Sequence, residues 1–309
     1  MAGKGGVGKT TVAASMATAA SHAGLSVLLV EVAGKSATAP LFGVQPQGYD
    51  EVTVLHEADR HRRINLRSLT PDHALREWLD THGFGRFVNR LNSVGILDVI
   101  ATATPGIKDL LVLGRIKALE HERAADLIVV DAPSAGQAIE FLRSPAGVRD
   151  AARTGVLNRQ ANEILELISD PQRCQVVLTT LAEETPVNET IETSFAIEDE
   201  LGVRLGPVVV NGVLPDLAGL DDALHSPDPG LALTDQDWGA LTQAGRFRQE
   251  RTALQAEQIA RLSHHLPLDQ LRLPMLFTPS LGPQQREHLA IHLTQQLELL
   301  PSATEQERA

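Results

Sequence analysis

The sequence predicts an α/β fold with a mostly parallel, doubly wound sheet, and three observations predict it. A glycine-rich loop, Gly3-Lys4-Gly5-Gly6-Val7-Gly8-Lys9-Thr10-Thr11, runs into an Ala-rich helical stretch. Continuous apolar runs such as 26–32 (Ser-Val-Leu-Leu-Val-Glu-Val) follow helical stretches, as strands buried on both faces do. One of these runs, 126–131 (Asp-Leu-Ile-Val-Val-Asp), closes on a carboxylate at the strand end that faces ligands in such sheets. Strand after helix after glycine loop is the βαβ rhythm of a parallel sheet.

The elements follow in order. Residues 10–23 read as a helix packed through Val12, Met16 and Ala20, with Gly24 as its C-cap. Residues 33–46 read as a loop holding Leu41-Phe42-Gly43, and 64–69 as a short strand. Thr70 and Pro71 supply an N-cap and a first helical residue. Helical patterning continues to about 103, with Trp78, Leu79, Phe84, Phe87, Leu91, Ile96 and Leu97 as apolar anchors, so about 70–104 reads as a helical insertion in a single domain spanning 1–309. Another helix runs from 107 to about 120.

After the strand 126–131 come a loop, 132–136, and a helix from about 137. The rest reads as helix 151–168, strand 175–180, helix 186–201, strand 207–211 and a polar, mobile connector of about 216–233. Helix 234–265, strand 271–277 and helix 283–300 complete the chain.

The bulk composition narrows the function classes. With a formal charge of −12 over 309 residues, the chain lacks the basic footprint of a nucleic-acid binder or of a protein held on an anionic membrane surface. No apolar run is long enough to span a bilayer, and the start does not read as a signal peptide. The one cysteine, Cys174, excludes an internal disulfide, and a cytoplasmic setting fits.

The opening loop carries the chemistry. Gly3, four residues, then Gly8-Lys9-Thr10 fits the phosphate-loop template. Gly3, Gly5, Gly6 and Gly8 let the backbone of Gly3–Thr11, Val7 included, curl its N–H groups toward a polyphosphate, and the following helix aims its positive end at the same anion. Lys9 puts a charge on the β/γ-phosphates, and the Thr10 hydroxyl is a Mg2+ ligand. Asp131 would hold the same ion through water. Only Met1 and Ala2 precede Gly3, where a buried strand normally feeds such a loop. The expectation is a sheet lacking its central strand and a loop short of an anchor, which in-frame upstream residues would restore.

Lys4 inside the loop resembles the signature lysine of a branch of phosphate-loop ATPases that includes the Min and Par ATPases, nitrogenase iron protein and the arsenite-pump and guided-entry ATPases. The resemblance to the last group spans nearly the whole chain. Asp131-Ala132-Pro133-Ser134-Ala135-Gly136 with Phe141-Leu142 is similar to its second switch, though one residue shorter. Pro105-Gly106-Ile107 with Asp109, Glu189-Thr190, Val209-Val210-Asn211 and the stretch 273–279 match further segments in order. Val27 to Gly34 looks most like one member of the paired actinobacterial proteins of the family, in which unlike homologues associate.

The resemblance implies a dimeric, Mg2+-dependent ATPase. Lys4 would cross to the partner's nucleotide, Gly136 would sense the γ-phosphate, and Asn211 and Pro279 would contact adenine. The partner would be a second copy or a homologous ATPase. Three departures bear on this. Ala33 stands where the family has a water-positioning Asp, and Glu31 is a weak substitute. That leaves open an alternative, a nucleotide-binding regulatory subunit with little hydrolysis of its own. One cysteine cannot build the family's zinc clamp, so no zinc is expected. Met1, Met16 and Met275 are the only methionines, which argues against a Met-rich groove for membrane-segment clients.

Overall fold

The computed structural model describes residues 1–32, 37–45, 51–57, 62–81, 106–225 and 233–300. Two sheets lie side by side, one of four strands ordered β2-β3-β1-β4 and one of three ordered β5-β6-β7. The strands are β1 (Ser26–Val32), β2 (Val52–Glu57), β3 (Arg62–Leu69), β4 (Leu127–Asp131), β5 (Thr179–Leu181), β6 (Val208–Val213) and β7 (Gln270–Pro274). All pairings are parallel except β2 with β3. The described helices are α1 (Lys9–His22), α2 (Pro71–Thr81), α3 (Ile107–His121), α4 (Ala135–Ala151), α5 (Val156–Ser169), α6 (Glu184–Phe195), α7 (Leu220–His225), α8 (Asp235–His265) and α9 (Pro283–Leu297).

Helices cover both faces of the sheets. In β1 the alternation is clean: Val27 and Leu29 face α1 and the turn Ala39–Phe42, while Leu28, Val30 and Val32 face the core shared with α3, α4 and α5. In β6, Val209 packs with Leu289 and Leu293 of α9, and Val208 and Val210 point the other way. A strand with two buried faces needs an unbroken apolar run, which these sequences supply. Leu28 and Leu29 are both essentially inaccessible, so truncating either to Ala costs about 2–5 kcal/mol.

The two sheets are joined by the first two residues. Met1 donates its amino group to Val130 O (2.7 Å) and accepts from Ala132 N (3.2 Å). Ala2 donates to Val177 O (3.0 Å) and accepts from Thr179 N (2.8 Å). Both patterns are parallel, so Met1-Ala2 fills the end of one strand position between β4 and β5. The loop expected to be short of an anchor is therefore held on each side.

Several elements differ from the sequence reading. The edge strand β2 pairs antiparallel to β3 and was not read from sequence. The strand expected over 175–180 is ordered as β only at Thr179–Leu181, with single bridges at Val176 to Leu205 and at Leu178 to Ala2. The helix expected from 151 starts at Val156, after a break at Gly155 (φ 100°). The connector contains α7, and 226–232 lie outside the described residues. Of the expected helical insertion, α2 is described; 82–105, with Phe84, Phe87, Leu91, Ile96 and Leu97, lie outside the described residues.

Candidate nucleotide-binding site

The site forms where the chain leaves the sheet and turns into α1. Gly3 takes φ +152° and passes so close to β5 that a Cβ there would sit 2.2 Å from Thr179 O. Its carbonyl accepts from Ala135 N (2.8 Å), which ties the loop to the first turn of α4. Gly8 takes φ +87° at the N-cap of α1, and a Cβ there would meet Asn211 Nδ2 at 2.3 Å. Gly3 demands glycine for space and for backbone angle, and Gly8 for its backbone angle. Between them, Gly5 and Gly6 are exposed with nothing near their Cα faces, while Val7 is buried and pins the loop. An open cradle of peptide groups at a helix N-terminus suits a polyphosphate.

The two candidate Mg2+ ligands meet. The Thr10 hydroxyl donates to Asp131 Oδ2 at 2.6 Å, joining α1 to the end of β4. Asp131 is 7% exposed, and its other oxygen, Oδ1, is buried without a hydrogen-bond partner. An unpartnered buried carboxylate oxygen costs at least about 1–3 kcal/mol, a cost that a hydrated cation would remove. The donor set, one hydroxyl and one carboxylate, suits Mg2+, which keeps most of its own waters.

Both lysines are held. Lys9 Nζ donates to Lys4 O (3.0 Å), curling over the loop. Lys4 Nζ pairs with Glu189 Oε1 of α6 at 2.7 Å, both side chains being partly exposed. Such a pair is worth about 1 kcal/mol or less. Thr11 lies half-buried in the first turn of α1. Asn211, on β6, donates Nδ2 to Val7 O (2.9 Å) and braces the loop from the second sheet.

The remaining candidates lie around this centre. Gly136 is exposed in the first turn of α4, which begins at Ala135, earlier than the sequence suggests. Pro279 is exposed in the turn between β7 and α9. Glu31 is 3% exposed, in register with Asp131 on the neighbouring strand, and accepts from Ala37 N (2.7 Å). Its carboxylate therefore holds the returning end of the segment after β1. Ala33 lies outside the described residues. Cys174 is half-buried, and burial pushes its thiol pKa up.

Sequence reasoning missed three contacts. It gave no partner for Lys4, no bracing role for Asn211, and nothing for Arg286, whose buried guanidinium lies 4.4 Å from the Phe42 ring. Each joins residues far apart in sequence, and no spacing rule covers such pairs.

Comparison with known proteins agrees with this geometry. The family model for anion-transporting ATPases matches residues 1–159. ATPase BagA of Mycobacterium tuberculosis is 32% identical over 303 residues, covering 91% of this chain and 86% of its own. A putative arsenical pump-driving ATPase of Halobacterium salinarum is 24% identical over 90% of this chain and 40% of its own. ATPase GET3C of Arabidopsis thaliana is 25% identical over 47% and 40%. The chain belongs to the anion-transporting ATPase family. Among the described residues, no helix is long and apolar enough to cross a membrane.

Proposed function

We propose that the chain is an ATP-binding, ATP-hydrolysing switch that works as a dimer in the cytoplasm. The observation that carries this reading is the Thr10–Asp131 contact with its unpartnered Oδ1, set directly beneath an open glycine cradle. Bound Mg2+ would neutralise phosphate charge and orient the triphosphate. Thr10 and Asp131 position that ion, the N–H groups of the loop bind phosphate oxygens, and Lys9 leaves Lys4 O to meet the β/γ-phosphates. Gly136 follows the γ-phosphate through the backbone at the head of α4, and the helical insertion of about 70–104 receives the motion. Asn211 and Pro279 flank the adenine. Lys4 exchanges Glu189 for the partner's nucleotide, a small cost for an ion pair this exposed.

A second reading is favoured by Ala33 and by Glu31. The first has no group to orient water, and the second is engaged with Ala37 N. On this reading the chain is a nucleotide-binding regulatory subunit of a heterodimer with a homologous ATPase. Phosphate release measured on the lone chain, on its Lys9→Ala variant and on a mixture with the homologue separates the two. Turnover by the lone chain that Lys9→Ala abolishes supports the first reading. Turnover only in the mixture supports the second.

A further inference from the structure

The first turn of α9 is held against the short helical turn Ala39–Phe42 that comes after β1. Arg286 of α9 donates Nη1 to Leu41 O at 3.5 Å, and its guanidinium lies 4.4 Å from the Phe42 ring. Gly43 closes that turn at φ +71°, where a Cβ would sit 3.1 Å from Pro283 Cγ. The joint is poorly satisfied. Arg286 is 6% exposed, and its bonds to Leu41 O and to Glu287 Oε2 are both 3.5 Å long. Its Nε has no hydrogen-bond partner among the described residues. The Thr38 hydroxyl, at the head of the same turn, is also buried without one. Buried groups left in this state mark a joint of low local stability, which shifts before the core around it does.

The joint lies between two parts of the proposed site. On one side, α9 is entered from the turn 275–282 that carries Pro279, and Gly282 O accepts from Arg286 N at 3.0 Å. On the other side, Ala39–Phe42 leads back through Thr38 to Ala37, whose N–H is held by Glu31 at 2.7 Å. Glu31 in turn is in register with Asp131 on the neighbouring strand. We propose, resting on the nucleotide reading of the site, that Arg286 is a positioning residue. It makes the placement of Ala37 and Ala39–Phe42 depend on whether the nucleoside end of the ligand engages the turn 275–282. A guanidinium suits this task, since its edge bonds the Leu41 carbonyl while its face stacks on Phe42. A shift of the first turn of α9 therefore reaches both residues at once. Arg286 itself contacts neither phosphate nor base and acts through Leu41 and Phe42.

Amide hydrogen exchange of the full-length chain with Mg2+ and either ADP or inorganic pyrophosphate, each at saturation, tests this. Both ligands carry phosphates for the loop, and only ADP carries a nucleoside. Both are expected to protect the loop amides of residues 5–9. ADP alone should slow exchange at Ala37, Leu41, Gly43 and Val44, by about fivefold or more over pyrophosphate. Two variants break the joint from opposite sides. Arg286→Met removes a poorly paired buried charge, so its Tm should be no lower than that of the parent. Phe42→Leu keeps the charge and removes the ring. In both, ADP should still protect residues 5–9 but should protect Ala37 and 41–44 no better than pyrophosphate does. A contact that only packs the core would leave the difference between the two ligands intact. Equal protection of 37–44 by ADP and pyrophosphate in the parent, or a difference that survives in both variants, would overturn the proposal alone. Loop amides that neither ligand protects would overturn the nucleotide reading and this proposal with it.

Discussion

The Thr10 hydroxyl donates to Asp131 Oδ2 across 2.6 Å, joining the first turn of α1 to the last residue of β4. The pair leaves Asp131 Oδ1 buried and unpartnered. Asp131→Asn keeps the shape and an acceptor for Thr10 but removes the charge. The expected outcome is an unchanged Tm and a loss of about 10- to 100-fold in the tightening of ATP binding by Mg2+. Titrating ATP with and without Mg2+ checks it.

Glu189 holds the Lys4 ammonium that the proposed function assigns to the partner's nucleotide. Glu189→Gln releases Lys4 and should favour ATP-dependent association by up to about fivefold, the limit for a pair worth about 1 kcal/mol. Lys4→Ala should leave ATP affinity of the monomer nearly unchanged and abolish that association. Light scattering of the eluted species with and without Mg·ATP measures both.

The glycines of the loop are unequal. Gly3→Ala forces a Cβ against the Thr179 carbonyl at a positive φ, and should destabilise by about 1–3 kcal/mol or more. Gly5→Ala points into open space at an ordinary φ and should stay within about 1 kcal/mol of the parent. Urea unfolding of the two variants makes the comparison.

Ala33 replaces an acid that the family resemblance places beside the attacking water. Ala33→Asp should raise phosphate release by the lone chain by about 100-fold, the low end for a positioned acid or base. An unchanged rate would move the defect elsewhere.

Asp109, in the first turn of α3, has its pKa raised above the ordinary 3.8 by burial and then by the charge of Glu140. The folded chain therefore binds more protons at this site than the unfolded chain between 3.8 and the raised value. Stability falls as pH climbs through that window. Asp109→Asn removes the effect, so its advantage over the parent should grow from pH 3.8 upward and then level off. Urea midpoints across that range test it.

Much of this architecture was legible in the residues. The loop template and Asp131 announced the Thr10–Asp131 meeting, because a parallel sheet brings strand ends and the following helix N-terminus to one edge. The apolar runs of β1, β4 and β6 were readable because burial on both faces leaves no polar alternation. β2 was not, since Val52–Glu57 carries Thr, His and Glu and is a strand only through its pairing with β3. Val176 and Leu178 look like one strand with β5, yet they bridge singly, Val176 to Leu205 and Leu178 to Ala2. Tertiary contacts alone reveal Glu189 as the partner of Lys4 and Asn211 as the brace of Val7.

The most direct measurement is isothermal titration of the full-length chain with ATP in the presence of Mg2+, beside its Lys9→Ala variant. The account predicts saturable heat at one site per chain for the parent and at least a tenfold weaker response for the variant. Identical titrations for the two, or no heat from the parent with either ATP or ADP, would contradict it.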